Sequence, residues 1–498
     1  MQNEIELKLR IGAKDILRLR RHAAIRKHLA GKPITRRLVS IYYDTPDLQL
    51  LKKQVSLRVR RMSGGWFQAV KGSGHSLAGL HQRMEWEDII ARGHPDFTKI
   101  TEPSLARIFA NQSLRDALQP IFVTDVKRTE WQLAYEDGTA IEVALDLGQL
   151  EVGNQSEPIS EVELELKSGE AWRLFELAAE LQKTIPLHIE NISKAERGYR
   201  HFHPHTPIAS RAEPIELSAK ASGIQAFQAI GLECLRQMQA NQELALSGDT
   251  EATHQMHIAV RRMKVAFKLF KFGKHHIRTE IDWLNRLIGN ARNWDVLTTE
   301  TLPLLLDQDE TLNQLQPLIA RRHGASYSAL KKAIGGQRYQ AMLLQLGAIL
   351  TKTPEKHRQS AEKILRQKLQ SIYDRLPWNK VHLDDLSKLQ LHHMRIRIKR
   401  LRYGQEFFKS PKLHKYPVKD IIRLQKDLGL INDLHVGKRL LTNAARNLPD
   451  KFPQQVAAKI SAAESRLAAA SGEHLQASWE RLRQKKAGRT DAPATKIL

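Results

Sequence analysis

The chain has 498 residues, 79 Lys and Arg against 54 Asp and Glu (a formal net charge of +25), and one cysteine, Cys234. At about 150 residues per domain the length predicts two or three domains, and 41% hydrophobic with 27% charged residues fits a folded protein better than a disordered one. One cysteine excludes an intramolecular disulfide framework and a Cys-based zinc finger. No apolar run reaches the roughly 18 residues of a membrane span, and the charged start MQNEIELKLR lacks the apolar core of a secretory signal, so a cytoplasmic location is expected.

Up to about residue 200 the dominant pattern is alternation. Segments 3–10, 55–61, 66–71, 84–90, 129–135, 140–147 and 160–167 read as strands, separated by turns such as Ser63-Gly64-Gly65 and Asp137-Gly138. Segment 171–183 has helical periodicity. About eight short strands with helices at the connections predict a closed or nearly closed antiparallel β-barrel, an α+β domain over 1–203. Residues 204–217, with prolines and no periodicity, read as a linker. Residues 218–487 carry long 3.6-period segments rich in Leu, Ala, Gln, Lys and Arg and predict an all-helical domain, followed by a flexible polar tail over 488–498.

The charge divides along the same line. Residues 1–200 hold 30 Lys and Arg and 27 Asp and Glu, a net of +3; residues 201–498 hold the remaining 49 and 27, a net of +22. The second part should attract a polyanion, and on charge alone DNA, RNA, an anionic membrane surface and inorganic polyphosphate are all open.

Within the first part, Glu4, Glu6 and Lys8 share one strand face, with Ile5, Leu7 and Leu9 on the other. Glu161, Glu163 and Glu165 alternate in the same way, as do Arg58 and Arg60; Glu85 with Glu87, and Glu142 with Asp146, add further acidic faces. A sheet with one solvated face would give this pattern. A barrel would instead force the sorted charges together, where clustered carboxylates repel unless a cation sits among them. Hard cations such as Mg²⁺ or Mn²⁺ take oxygen ligands and bridge carboxylates to phosphates, and opposed arginines suit phosphate oxygens.

Several elements carry a resemblance. Glu4-x-Glu6-x-Lys8, Tyr42-Tyr43-Asp44-Thr45-Pro46, Leu57-Arg58-Val59-Arg60, Val70-Lys71-Gly72, Lys127-Arg128, Glu161-Val162-Glu163-Leu164-Glu165 and Ser193-Lys194 resemble, in order and spacing, the signature elements of CYTH domains, the triphosphate tunnel metalloenzymes. The resemblance implies an eight-stranded tunnel around a linear triphosphate. It implies that Lys8, Arg58, Arg60, Lys71, Arg128 and Lys194 bind phosphate, with Arg37 and Arg83 added from their places near matched elements. It implies that Glu4, Glu6, Glu161 and Glu163 hold metal, helped by Glu165, Glu142 and Asp146. The catalytic set is then Lys8, Glu4, Glu6 and Glu163. Asp44 is expected to serve a turn, and His81 to lie at the surface or behind the site. No Walker A sequence is present. Gly79-Leu80-His81-Gln82-Arg83, the block Val126 to Trp131, and Lys167-Ser168-Gly169 resemble the bacterial inorganic triphosphatase type. That implies a hydrolase cleaving tripolyphosphate to pyrophosphate and phosphate with Mg²⁺ or Mn²⁺; nucleoside or thiamine triphosphate is the alternative substrate.

The helical part is duplicated. His254 to Lys264 matches His392 to Arg402 at an offset of 138, and Gly289 to Val296 matches Gly429 to Val436 at 140, which implies two facing bundles. His254, His257, Arg261, Lys264, Lys268 and Lys271 form a basic stripe; Met256, Val260, Met263, Phe267 and Phe270 form a core face. The second copy has His392, Arg395, Lys399 and Arg402 against Met394, Ile398, Leu401 and Phe408. These blocks, with Leu287 to Val296, resemble the CHAD domain, departing from it at Asn432, Asp433 and His435. The resemblance implies that long-chain inorganic polyphosphate is bound by His254, Arg261, Arg262, Lys264, Lys268, His392, Arg395, Lys399, Arg400 and Arg402, with Tyr403 packing. It also implies association with polyphosphate granules. Nucleic acid is disfavoured, because no aromatic platform or groove-reading motif accompanies the bases. The alternative to an enzyme is a polyphosphate-granule protein whose barrel holds phosphate without turnover.

Overall fold

The computed structural model describes residues 2–490 except 63, 205, 216, 219, 273–274, 306–314, 353–358, 408–416 and 447–450. It divides into two compact units. One is Met1–Pro207 with Gly335–Thr353; the other is Ile208–Ile334 with Pro354–Leu498.

The first unit is built on strands β1 (Gln2–Ile11), β2 (Ile34–Asp44), β3 (Ser56–Met62), β4 (Gly65–Leu77), β5 (Leu80–Ile90), β6 (Gln119–Ala134), β7 (Ala140–Val152), β8 (Gln155–Ser168) and β9 (Leu187–Ile189). Their order is β5-β4-β3-β2-β6-β7-β8-β1, and an antiparallel β5–β1 pairing closes eight strands into the expected barrel. Beyond the end of β5, β9 takes over as the partner of β1 through Leu9↔Ile189 and Ile11↔Leu187. Closure leaves few unpaired strand edges. Strand β2 was not anticipated: its Arg36-Arg37 pair and exposed Ile34 break the apolar alternation that reveals the other strands.

The barrel is polar inside and apolar outside. Leu7, Leu9, Leu57, Val59, Val162 and Leu164 are fully buried, on the strand face opposite the charged residues. Part of this outer face is sealed by Ile100, Leu105, Phe109 and Leu114, which cluster with Leu57, Val59 and Val70. Each such aliphatic side chain contributes about 1.5–3 kcal/mol through burial, which offsets the cost of gathering charges on the inner face. Helices α1 (Trp172–Gln182) and α2 (Lys194–Phe202) are among the helices of this unit. The β4–β5 hairpin turns through Ala78 and Gly79, both at positive φ (53° and 78°), as a tight primed turn requires. Gly79 accepts a hydrogen bond from Lys8 N at 2.8 Å, and a Cβ on it would lie 2.9 Å from Lys8 O, so glycine lets this turn dock against β1.

The second unit is helical, with α3 (Gly223–Ala240), α4 (Thr250–Phe270), α5 (His275–Val296), α7 (Lys388–Glu406), α8 (Val418–Ala445) and α9 (Lys451–Thr490) among its helices. Helix α6 (Gln337–Thr351) belongs to the barrel unit although its sequence lies inside the helical half. Asp249 caps α4, and Ser387 with Gln390 forms a capping box on α7. Met256, Val260, Met263, Phe267 and Phe270 are buried, as are Met394, Ile398 and Leu401; Phe408 lies outside the described residues. The repeated helices pack in corresponding pairs, α4 with α7 and α5 with α8. Among the described residues no helix is long and apolar enough to cross a membrane.

Candidate active site and basic groove

The barrel interior holds a cavity of about 470 Å³. Its charged lining consists of Lys8, Arg58, Arg60, Lys71, Arg83, Arg128, Lys167 and Lys194 against Glu4, Glu6, Glu85, Glu87, Glu163 and Glu165. Register explains the gathering. Glu6 faces Glu165 and Lys8 faces Glu163 across β1–β8, Arg128 faces Asp146 across β6–β7, and Lys71 faces Glu85 across β4–β5. Lys194 comes from the first turn of α2, which Ser193 caps through Glu196 N at 3.2 Å.

Most of these bases are neutralised by carboxylates. Lys8 pairs with Glu6 (2.7 Å) and Glu163, and Lys71 with Glu4 (2.5 Å) and Glu85 (3.3 Å). Arg58 reaches Glu85 at 3.1 Å. Arg128 grips Asp146 through two bonds of 2.7 and 2.6 Å and also meets Glu163. Burial works against the Lys8 ammonium, but Glu163 and Glu6 override it and hold its pKa above the ordinary value. Burial likewise opposes ionisation of Asp146, and Arg128 and Lys194 prevail, holding it at about 2. Arg60 and Arg83 differ: among the described residues neither has a carboxylate partner. Arg60 donates to Ser40 Oγ at 2.9 Å and Arg83 to Ser193 Oγ at 3.4 Å. Burial, then repulsion from Arg58 and Arg128, lowers the Arg60 pKa to about 10. A guanidinium in the cavity with no carboxylate within ion-pair distance is open to an anion.

The donor chemistry fits a hard divalent cation. One oxygen from each of Asp146, Glu161 and Glu163 lies within 4.8 Å of the others, and all three residues are buried. Lys194 Nζ stands among them, 2.7 Å from Asp146 and 3.0 Å from Glu163 and also paired with Glu161, so a cation there competes with its ammonium. Glu4 and Glu6 line the cavity with Glu165; burial raises the Glu165 pKa, aided by Glu4 and Glu142 and opposed by Lys167. Oxygen-only clusters of this kind suit Mg²⁺ or Mn²⁺.

The cavity brings together Lys8, Arg58, Arg60, Lys71, Arg83, Arg128, Lys194, Glu4, Glu6, Glu163 and Glu165. Asp146 and Glu161 lie behind the lining bases, and Glu142 accepts from Gln132 at 2.6 Å. Arg37 does not join them; it is exposed and paired to Asp125. His81 is fully buried rather than at the surface: its Nε2 lies 3.2 Å from Glu190 O, and burial, then Lys8, lowers its pKa to about 3. Asp44 serves the turn, accepting from Thr45 N, Leu50 N and Leu51 N at 2.7–2.9 Å. Lys167, Tyr42 and Ser193 were not anticipated as lining, and Glu85 and Glu87 were read as an acidic face without a site role. The signal was present for three of them: Glu85 and Glu87 share the parity of Arg83, and Lys167 that of Glu165.

The helical unit carries a different site, a groove of about 1180 Å³. Arg261, Lys264, Lys268, Lys271, Arg278, Lys368, Arg375, Arg395, Lys399 and Arg400 line it, with Asp282 as the one lining carboxylate among the described residues. Asp282 lies 2.7 Å from Lys264. Burial, then repulsion from Arg261 and Arg395, lowers the Lys399 pKa to about 6. Of the predicted polyphosphate residues, Arg261, Lys264, Lys268, Arg395, Lys399 and Arg400 meet here, beside the buried Tyr403. The other four do not line it. Arg262 is buried with its guanidinium 5.6 Å from the Phe407 ring, Arg402 pairs with Glu406, His392 is exposed, and His254 is half-buried on α4. His257 leaves the basic stripe altogether: it is buried, with its ring packed against Gly289 of α5.

Comparison with known proteins follows this division. The CYTH domain profile matches residues 2–199 and the CHAD domain profile residues 229–442. A Haemophilus influenzae protein named inorganic triphosphatase is 35% identical over 201 residues, 40% of this chain and 55% of that protein. The chain thus spans about half the length of that curated relative. The crystal structure of the CHAD domain from Ricinus communis is 31% identical and covers 55% of this chain and 96% of its own, with a TM-score of 0.49. A Hippeastrum protein described by a dominant triphosphatase activity is 17% identical and covers 41% and 100%, with a TM-score of 0.30.

Proposed function

We propose, from the premise that this chain joins a CYTH domain to a CHAD domain, that it is an inorganic triphosphatase tethered to polyphosphate. The barrel hydrolyses tripolyphosphate to pyrophosphate and phosphate with Mg²⁺ or Mn²⁺, and the helical unit binds long-chain inorganic polyphosphate. The protein works in the cytoplasm, at polyphosphate granules. The observation that carries this reading is the cavity in the barrel that bases and carboxylates line together.

Arg60 and Arg83, lacking carboxylate partners, take the first phosphate oxygens. Arg58, Lys71 and Arg128 then exchange their carboxylates for phosphate, so charge is neutralised without new desolvation. Lys8, kept protonated by Glu163 and Glu6, acts as a hydrogen-bond donor to the terminal phosphate rather than as a base. Glu4, Glu6, Glu163 and Glu165, with Asp146 and Glu161 deeper, hold the divalent cation, which supplies phosphate neutralisation and water activation when bound. The test is phosphate release from tripolyphosphate, ATP and thiamine triphosphate, with and without each metal. Absence of turnover with retained binding would leave a polyphosphate-holding protein instead.

A second reading has its own observation. A cavity of about 760 Å³, walled by Leu48, Leu51, Val55 and Tyr199, shares Ser56, Lys71 and Arg83 with the tunnel. An apolar wall beside the phosphate site favours a nucleoside or thiamine triphosphate, whose organic group it would cover. The same assay separates the two readings.

A further inference from the structure

Helix α6 comes from the middle of the helical half, yet it packs on α1 and β9 of the barrel unit. The fit is close. A Cβ at Gly347 would lie 2.2 Å from the Phe175 ring of α1, and Tyr339, Met342, Leu343 and Leu346 are almost wholly buried. Polar contacts accompany this apolar packing: Gln337 accepts from Gln182 Nε2 at 3.3 Å, and a second glutamine binds backbone. Gln340, 5% exposed, accepts the backbone N–H of Ile189 through Oε1 at 2.9 Å.

Ile189 ends β9, and the chain runs from it directly into the site. Glu190 N donates to Lys8 O at 2.9 Å, and Glu190 O lies 3.2 Å from His81 Nε2. Asn191 Oδ1 accepts from Gly79 N at 2.8 Å and Asn191 O from Ser76 Oγ at 2.9 Å, so the segment also holds the β4–β5 hairpin. Ser193 then receives Arg83 and starts α2, whose first residue, Lys194, stands among Asp146, Glu161 and Glu163. The backbone after 189 is thus tied by hydrogen bonds to the Lys8 strand and the β4–β5 hairpin, and by the chain to the Arg83 partner and Lys194.

We propose that Gln340 is a positioning residue for the tunnel, supplied from within the helical half, which fixes segment 189–194 and through it Lys194 and Lys8. The expected effect follows from the sensitivity of phosphoryl transfer to placement, where a displacement of about 1 Å can cost on the order of 100-fold in rate. The proposal rests on the tunnel reading given above.

The test uses the full chain with Gln340→Leu, which keeps the volume and removes the acceptor, and Gln340→Glu, which keeps an acceptor oxygen. Three quantities are read: tripolyphosphate turnover, amide hydrogen exchange by peptide, and the melting temperature. In Gln340→Leu, exchange should rise in peptides covering 189–194, and kcat should fall at least about tenfold with KM changed by less than about threefold. Gln340→Glu should recover most of both. Turnover in Gln340→Leu within about twofold of the unaltered protein, or exchange raised evenly over the whole barrel with a lowered melting temperature, overturns the proposal. If the unaltered protein turns over no triphosphate, the tunnel reading fails. The exchange data then still decide: unchanged protection of 189–194 in Gln340→Leu overturns the positioning role.

Discussion

The tunnel and the groove are both lined by Lys and Arg, and they differ in what stands opposite. In the tunnel eight bases face six carboxylates, and only Arg60 and Arg83 lack an acidic partner among the described residues. In the groove, among the described residues, ten lining bases face one lining carboxylate, Asp282, with Asp433 attracting Arg261, Arg395 and Lys399 from outside the lining. A balanced site is stable when empty and can exchange its internal pairs for a substrate and a cation, which suits turnover. An unbalanced site stores repulsion that a polyanion relieves, which suits retention. Net charge by itself ranks the groove above the tunnel; the pairing separates the two in kind, and the proposed functions rest on that difference.

The comparison can be broken most sharply in the tunnel. Glu163→Gln removes a carboxylate shared by Lys8, Arg128 and Lys194 and should lower tripolyphosphate turnover by about 100-fold or more, while polyphosphate retention by the helical unit stays unchanged. Loss of retention in that variant would show that the two sites are not separate. Lys194→Ala should come next, with turnover down about 10- to 100-fold and a raised affinity for Mn²⁺, read by calorimetry, because the ammonium no longer competes at Asp146, Glu161 and Glu163. Unchanged Mn²⁺ affinity would remove those three residues from the cation site.

In the groove, Arg261→Ala with Arg395→Ala should weaken polyphosphate binding about 10-fold and flatten its salt dependence, with turnover unaltered. The groove should also respond to pH. Lys399 has a lowered folded-state pKa near 6, so it is neutral above that pH and charged below. Polyphosphate affinity should rise as pH falls through about 6, and proton uptake on binding at pH 7 should appear in calorimetry with buffers of different ionisation heat. Without ligand the sign is opposite. The unfolded chain keeps Lys399 protonated up to about pH 10.4, so its contribution to the stability of the free unit declines as pH falls from there toward 6. Lys399→Met should abolish both pH effects. The smallest effect is expected from Arg37→Ala, exposed and paired to Asp125, where turnover should stay within about twofold of the unaltered protein.

What could be read from the sequence depended on period. Strands such as β1 and β8 alternate cleanly because one face packs outside the barrel and the other holds charge, so Glu4, Glu6, Lys8 and Glu161 to Glu165 were legible together. Strand β2 was missed because Arg36 and Arg37 are consecutive bases that pair on opposite faces, with Glu130 and Asp125, and the pattern loses its period there. Lys194 was found as a motif but sits on a helix, where alternation says nothing. On α4, helical spacing grouped His257 with the bases, yet it is buried. A stripe defined by steps of three and four is wide enough to include residues at its margin that pack against the next helix. The place of α6 in the barrel unit has no sequence signal at all, since an apolar helix reads the same whichever unit buries it.

The measurement that bears most directly on the division of labour is tripolyphosphate hydrolysis by the full chain with and without Mg²⁺ or Mn²⁺, run beside retention of long-chain polyphosphate in the same samples. The account predicts metal-dependent release of phosphate and pyrophosphate that Glu163→Gln abolishes, and retention that needs no metal and survives Glu163→Gln. Hydrolysis that persists in Glu163→Gln, or retention lost with it, would contradict the account.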